Sequence, residues 1–261
     1  FTRPWAEHEY TVALDAIAEA GFQYAGFMNT TKAGKRTQML TWDMPLEEAA
    51  RMAEAAKSRG LIVAAAWGGR FPTEKGLDTA IAGLTKLIDV SAAATVPDIL
   101  LGGEGRAEFL ETYESAIKAS LDYAQKKGVR VCMKPHDTFN FTGADCKATI
   151  KRINHPNFAF YYDPGNILHY SKGQRAPEMD SVGIGDAVHG MCVKDYKEGK
   201  SVNITPGTGQ VDFKQVLKNL RDAGFKGGPM IIECLNPGSL DDILAEAKKT
   251  KAMVEGLIAA G

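Results

Sequence analysis

A chain of 261 residues with 44% hydrophobic and 24% charged residues has enough apolar material for a large core, which excludes a disordered tail and a disulfide-stapled miniprotein. Lys and Arg total 31 against 32 Asp and Glu, a formal net charge of -1, so the basic excess used to bind nucleic acid is missing and that partner class is excluded. No apolar run nears the roughly 18 residues of a bilayer span, and Arg3, Glu7 and Glu9 stand where a signal peptide would be apolar. The expectation is therefore a soluble protein with no membrane partner, cytoplasmic, or periplasmic or secreted if the chain is a trimmed mature form.

In chain order, Phe1–Trp5 reads as the end of a short first strand. Nearly continuous apolar runs follow at about 22–28, 61–67, 98–102, 129–135, 158–163, 188–194 and 229–235, the pattern of parallel strands covered on both faces. Helices separate them. Four end on a glycine that feeds the next strand: Gly21 before Phe22, Gly60 before Leu61, Gly128 before Val129 and Gly224 before Phe225. Helical spacing puts Ile117, Leu121 and Ala124 on one stripe, Phe213, Val216, Leu217 and Leu220 on a second, and Thr250, Val254 and Leu257 on a third. The four cysteines, Cys132, Cys146, Cys192 and Cys234, form no CxxC pair and read as buried thiols without disulfides. With no Pro-, Ser- or charge-rich linker, the alternation predicts one domain over 1–261, an α/β fold of the (β/α)₈ TIM-barrel type with a short first strand.

A barrel of this kind builds its site where strands end. The strand-end segments here are Lys134-Pro135-His136-Asp137, Asp163-Pro164-Gly165-Asn166, Cys192-Val193-Lys194-Asp195 and Glu233-Cys234-Leu235-Asn236. Period-two alternation puts Lys134 with His136 on one face and Cys192 with Lys194 on another. A single charge at a strand end commonly marks only the chain surfacing; four in succession point to a site. His136, Asp163 and Glu233 are donors for Mn²⁺, Zn²⁺, Co²⁺ or Mg²⁺, and Cys192 adds a thiolate unless it is simply buried. His169 and Asn166 line the mouth with Lys194, Trp67 offers it an aromatic face, and Arg3 and Glu104 stand at other strand ends as candidate ligand contacts. His189, at the start of its run, is structural. Gly207-Thr208-Gly209 is only a faint candidate for an anion nest, which speaks against a phosphate on the ligand.

These segments, with Leu14-Asp15-Ala16-Ile17-Ala18-Glu19-Ala20-Gly21-Phe22, Val193-Lys194-Asp195, Gly207-Thr208-Gly209-Gln210-Val211-Asp212-Phe213 and Ile231-Ile232-Glu233-Cys234, resemble the xylose isomerase-like barrel superfamily over nearly the whole chain. The resemblance implies a sugar isomerase or epimerase with one divalent ion held by Glu, Asp, His and Glu. Asp163 and Glu233 match that pattern, whereas Lys134 and Cys192 stand where Glu and His are expected, so His136 becomes the replacement ligand. The chemistry implied is proton abstraction next to a carbonyl, with Glu233 as base, His136 or Lys134 as acid, and a metal or the Lys134 ammonium holding the enediolate. Elimination of a β-substituent from a keto-sugar shares the first step. A non-catalytic carbohydrate-binding barrel is the alternative from another class, and homo-oligomerisation stays open.

Overall fold

The protein is described by a computed structural model covering residues 1–199 and 201–260. Seven parallel strands follow one another around a nearly closed barrel: β1 (Tyr24–Phe27), β4 (Ile62–Gly69), β5 (Asp98–Leu101), β6 (Arg130–Met133), β7 (Phe158–Tyr162), β8 (Val188–Val193) and β9 (Met230–Ile232). Each lies within one of the seven apolar runs or overlaps it. Between β1 and β4 an antiparallel hairpin, β2 (Asn29–Lys32) with β3 (Lys35–Gln38), leaves the barrel wall. Its mostly polar residues carry no apolar run, which is why the hydrophobic pattern does not reveal it.

The expected first strand is the main departure. The Phe1 nitrogen donates to Ile232 O at 2.8 Å and the Thr2 N–H donates to Gly26 O at 2.9 Å, so residues 1–2 bridge β9 and β1 across the gap. Arg3–Trp5 then turns into a 3₁₀ helix instead of extending a ladder. Pro4 has no N–H for a ladder and its fixed φ suits a first helical turn.

Strand alternation sorts the interior into two cores. Inward residues Ala65, Leu100, Cys132, Tyr161, Cys192 and Ile231 plug the barrel. Their outward neighbours, among them Ala66, Ile99, Val131, Phe160, Met191 and Ile232, join the buried stripes of the surrounding helices. Ile117, Leu121 and Ala124 of α4 (Leu110–Lys126) are there, as are Val216, Leu217 and Leu220 of α8 (Phe213–Asp222) and Val254 and Leu257 of α9 (Leu240–Ala259). Full burial of one such side chain stabilises by about 1.5–3 kcal/mol. The glycine stops are left-handed as expected, with φ of +79°, +72°, +71° and +100° at Gly21, Gly60, Gly128 and Gly224. All four cysteines are free and buried.

At the amino end of the barrel, Tyr161 OH donates to Asp98 Oδ2 at 2.6 Å, and His189 Nε2 lies 2.9 Å from the same oxygen. His189 thus braces the floor, away from the mouth. No helix among the described residues is long and apolar enough to cross a membrane.

Candidate active site

Four strands carry their inward alternation two residues beyond the plug. Lys134 follows Cys132, Asp163 follows Tyr161, Lys194 follows Cys192 and Glu233 follows Ile231, so the next layer up is polar. All four side chains are buried. Such groups persist in an interior only when paired.

The pairing is complete. Lys134 Nζ donates to Glu233 Oε2 at 2.5 Å and to Asp163 Oδ2 at 3.2 Å. Lys194 Nζ lies 2.6 Å from Glu233 Oε1 and donates to Asp163 Oδ2 at 3.0 Å and Asn166 Oδ1 at 3.0 Å. Arg3 Nη1 donates to Glu233 Oε1 at 2.6 Å. Asp163 Oδ1 takes the Asn166 N–H. Three cations therefore face two carboxylates, a local excess of one positive charge. Burial alone would raise the Glu233 carboxyl, but Lys134, Lys194 and Arg3 overrule it and hold it well below its ordinary 4.5. Burial likewise works against the charge on Lys134, yet Glu233 and Asp163 hold its ammonium well above 10.5.

The segment after β7 shows how local sequence makes this possible. Asp163 caps α6 (Pro164–Tyr170), Pro164 takes the first helical position, and Asn166, His169 and Tyr170 fall at i, i+3 and i+4 on one side. Gly165 lets the helix start press against β8: a Cβ there would lie 2.8 Å from Lys194 O and Cγ and 2.9 Å from Asp195 O. Gly165→Ala is thus expected to cost about 1–3 kcal/mol of stability through overpacking and to displace the Lys194 ammonium. Thermal melts of the variant check it; an unchanged melting temperature would mean that this contact has slack.

Above the polar layer lies a cavity of about 210 Å³. Of the residues expected at the site, Arg3, Trp67, Lys134, His136, Asn166, His169, Lys194 and Glu233 line it. Asp163 lies beneath, fully buried. Glu104 is elsewhere, buried and occupied by the Thr73 hydroxyl at 2.7 Å and Arg106 Nε at 3.0 Å. Tyr170, Met28 and Val202 also line the cavity and escaped the sequence reading, although the i+4 step from Asn166 points at Tyr170. A larger cavity of about 810 Å³ lies at the amino ends of β1 and β9, and its walls are mostly apolar.

His136 occupies the wall and stays out of the ion cluster. Its Nδ1 lies 2.9 Å from Asp137 Oδ2, and since a carboxylate only accepts, Nδ1 carries the proton. Its ring packs at 5.4 Å from Trp67 and 5.1 Å from Tyr170. Asp137 is itself held by Arg70 Nη2 at 2.6 Å and has a left-handed backbone, φ +61°, which is strained for a residue with a side chain. His169 pairs with the Ser201 hydroxyl at 2.9 Å, and burial, with Lys194 nearby, pushes its imidazole below the ordinary 6.5.

Of the four expected metal donors, three come together and one does not. Asp163, Cys192 and Glu233 bring one donor atom each within 4.8 Å of one another, and His136 is not in that group. Burial pushes the Cys192 thiol up. All four carboxylate oxygens already accept hydrogen bonds or ion pairs. A dication about 4 Å from an ammonium would meet repulsion on the order of 8 kcal/mol at an effective dielectric of about 20. The residues present do not fit a divalent ion while Lys134 is charged.

Gly207 and Gly209 also differ from an open nest. Both N–H groups donate to Asp195 Oδ2, at 2.9 and 2.8 Å, so the loop encloses a carboxylate of its own.

Known proteins share this architecture. The family described as xylose isomerase-like TIM barrel matches residues 14–257. A 158-residue stretch, 60% of this chain, is 28% identical to L-ribulose-5-phosphate 3-epimerase UlaE of Escherichia coli and covers 54% of it, so the match spans about half the length of those curated relatives. Among solved structures, D-allulose 3-epimerase from Methylomonas sp. aligns with a TM-score of 0.74 at 16% identity, covering 98% of this chain and 96% of that one. An L-ribulose 3-epimerase aligns with a TM-score of 0.74 at 14% identity, covering 99% and 93%. At such identities the likeness is one of fold.

Proposed function

The chain belongs to the xylose isomerase-like TIM barrel family, and from that membership and the geometry of the mouth we propose that it is a sugar isomerase- or epimerase-like enzyme that moves a proton at a carbon next to a carbonyl. The observation that carries this reading is the small cavity with imidazoles in its wall and ammonium groups in its floor. A keto-sugar whose carbonyl oxygen faces Lys134 and Lys194 gains charge-assisted hydrogen bonds as negative charge builds on that oxygen.

Glu233 is a weak base in this setting, because three cations lower its affinity for a proton. Its role in the proposal is to position Lys134, Lys194 and Arg3. His136 is the better base: Asp137 fixes the tautomer whose Nε2 has a free lone pair. The His136 imidazolium formed by that abstraction holds the proton to be returned, and His169 lines the same cavity. Return to the neighbouring carbon isomerises the sugar, and return from the opposite face epimerises it. The cavity size and the self-occupied Gly207–Gly209 loop favour a small, unphosphorylated keto-sugar.

The divalent-ion form of this chemistry has one observation in its favour, the three donors within 4.8 Å, and requires Lys134 to give up its partners. The test of function is wash-in of deuterium from D₂O beside the carbonyl of free ketopentoses and ketohexoses, followed by proton NMR. Exchange is expected with the wild type and is expected to fall by about 10²–10⁴ in His136→Gln. Tight sugar binding without any exchange would instead favour a non-catalytic carbohydrate-binding barrel.

A further inference from the structure

In the floor of the cavity a cation is fixed between two carboxylates. Lys134 Nζ stands 2.5 Å from Glu233 Oε2 and 3.2 Å from Asp163 Oδ2. It also lies 5.0 Å from the centre of the Trp67 ring, whose face favours a cation. Lys194 bridges the same two carboxylates from the other side.

We propose that the Lys134 ammonium is the resident cation of this site, taking the place of a divalent ion and excluding one. Occupancy excludes the ion first. Glu233 Oε2 and Asp163 Oδ2 already accept from Lys134, Glu233 Oε1 serves Arg3 and Lys194, and Asp163 Oδ1 caps a helix. Charge excludes it as well. Three cations against two carboxylates leave one positive charge in excess, and a dication would raise that to three in a buried layer. Changing Lys134 to Glu reverses the balance to two cations against three carboxylates. Cys192 then stands as a further donor beside them. A carboxylate-rich set with one thiol suits Co²⁺ or Zn²⁺. The lysine thus separates a metal-free site from a latent metal site by one residue.

The catalytic part of this inference, that Lys134 holds charge on the substrate oxygen, rests on the function proposed above; the exclusion of the ion does not. The experiment therefore reads metal binding and needs no substrate. Wild-type protein and Lys134→Glu are incubated with Co²⁺, desalted, and measured for bound cobalt and for thiolate-to-cobalt charge-transfer absorption. The wild type is expected to retain no cobalt and an unchanged melting temperature. Lys134→Glu is expected to retain one equivalent, with the charge-transfer band and a raised melting temperature.

Retention of one equivalent by the wild type, with a band lost in Cys192→Ala, would overturn the proposal. So would a folded Lys134→Glu protein that retains none. If that variant does not fold in metal-free buffer, it is refolded from urea with and without Co²⁺, because binding then couples to folding. Recovery of native circular dichroism only with the ion supports the proposal, and failure in both buffers overturns it. Because neither readout involves sugar turnover, loss of this inference leaves the proton-transfer reading standing, and the reverse also holds.

Discussion

Glu233→Gln is expected to destabilise the protein by about 3–5 kcal/mol, the cost of removing one partner from a buried ion pair. The substitution keeps the side chain's size, so no cavity opens. What changes is the charge balance: Lys134, Lys194 and Arg3 then face Asp163 alone. In a domain of this length each kcal/mol moves the melting temperature by about 2–4 °C, so a drop of roughly 10 °C is expected in thermal melts. Removing the exposed Lys218–Asp222 pair is expected to leave the melt where it was. The pH dependence follows from the same cluster. Because the folded Glu233 carboxyl lies below its ordinary 4.5, its stabilising contribution is fully present above that value and is lost as pH falls through the folded value. The raised Lys134 ammonium behaves in the opposite sense, contributing fully below 10.5 and losing that contribution as pH rises through its folded value. A Glu233→Gln protein that melts with the wild type would show that the cluster is not the tightly paired layer described above.

The strands were legible because buried parallel strands must be apolar on both faces, and the helix ends because a left-handed stop favours glycine. The polar layer was legible for the same reason as the plug: a period of two carries Cys132 to Lys134, Tyr161 to Asp163, Cys192 to Lys194 and Ile231 to Glu233. That rule holds for one residue past each strand end and then fails. β6 stops at Met133 and Asp137 turns left-handed, so His136 no longer shares the direction of Lys134 and reaches the cavity wall instead of the ion cluster. The partners of Lys134 lie 29 and 99 residues away, and nothing local says which carboxylate it will meet. Replacement of an expected ligand by lysine announces a change at the site, but its consequence, an internal cation, follows only from the distances.

Lys134→Met is the sharpest contrast to Glu233→Gln, because the two substitutions remove opposite ends of one ion pair with unequal consequences. Without the ammonium, Arg3 and Lys194 face Asp163 and Glu233, two cations against two carboxylates, and a methionine fills a similar volume beside Trp67. The balanced layer is expected to melt closer to the wild type than Glu233→Gln does. Catalysis should not be spared. Loss of a preorganised donor aimed at developing oxyanion charge costs about 10²–10³ in rate, so deuterium exchange into a ketose is expected to fall by that factor. The loss should appear in kcat more than in KM, since the ammonium interacts most strongly after charge has moved to the oxygen. Melts and exchange rates measured on both variants separate the two functions of the cluster. Equal exchange rates in Lys134→Met and wild type would leave Lys134 as a purely structural counter-ion, with Lys194 the only ammonium left to hold the enediolate.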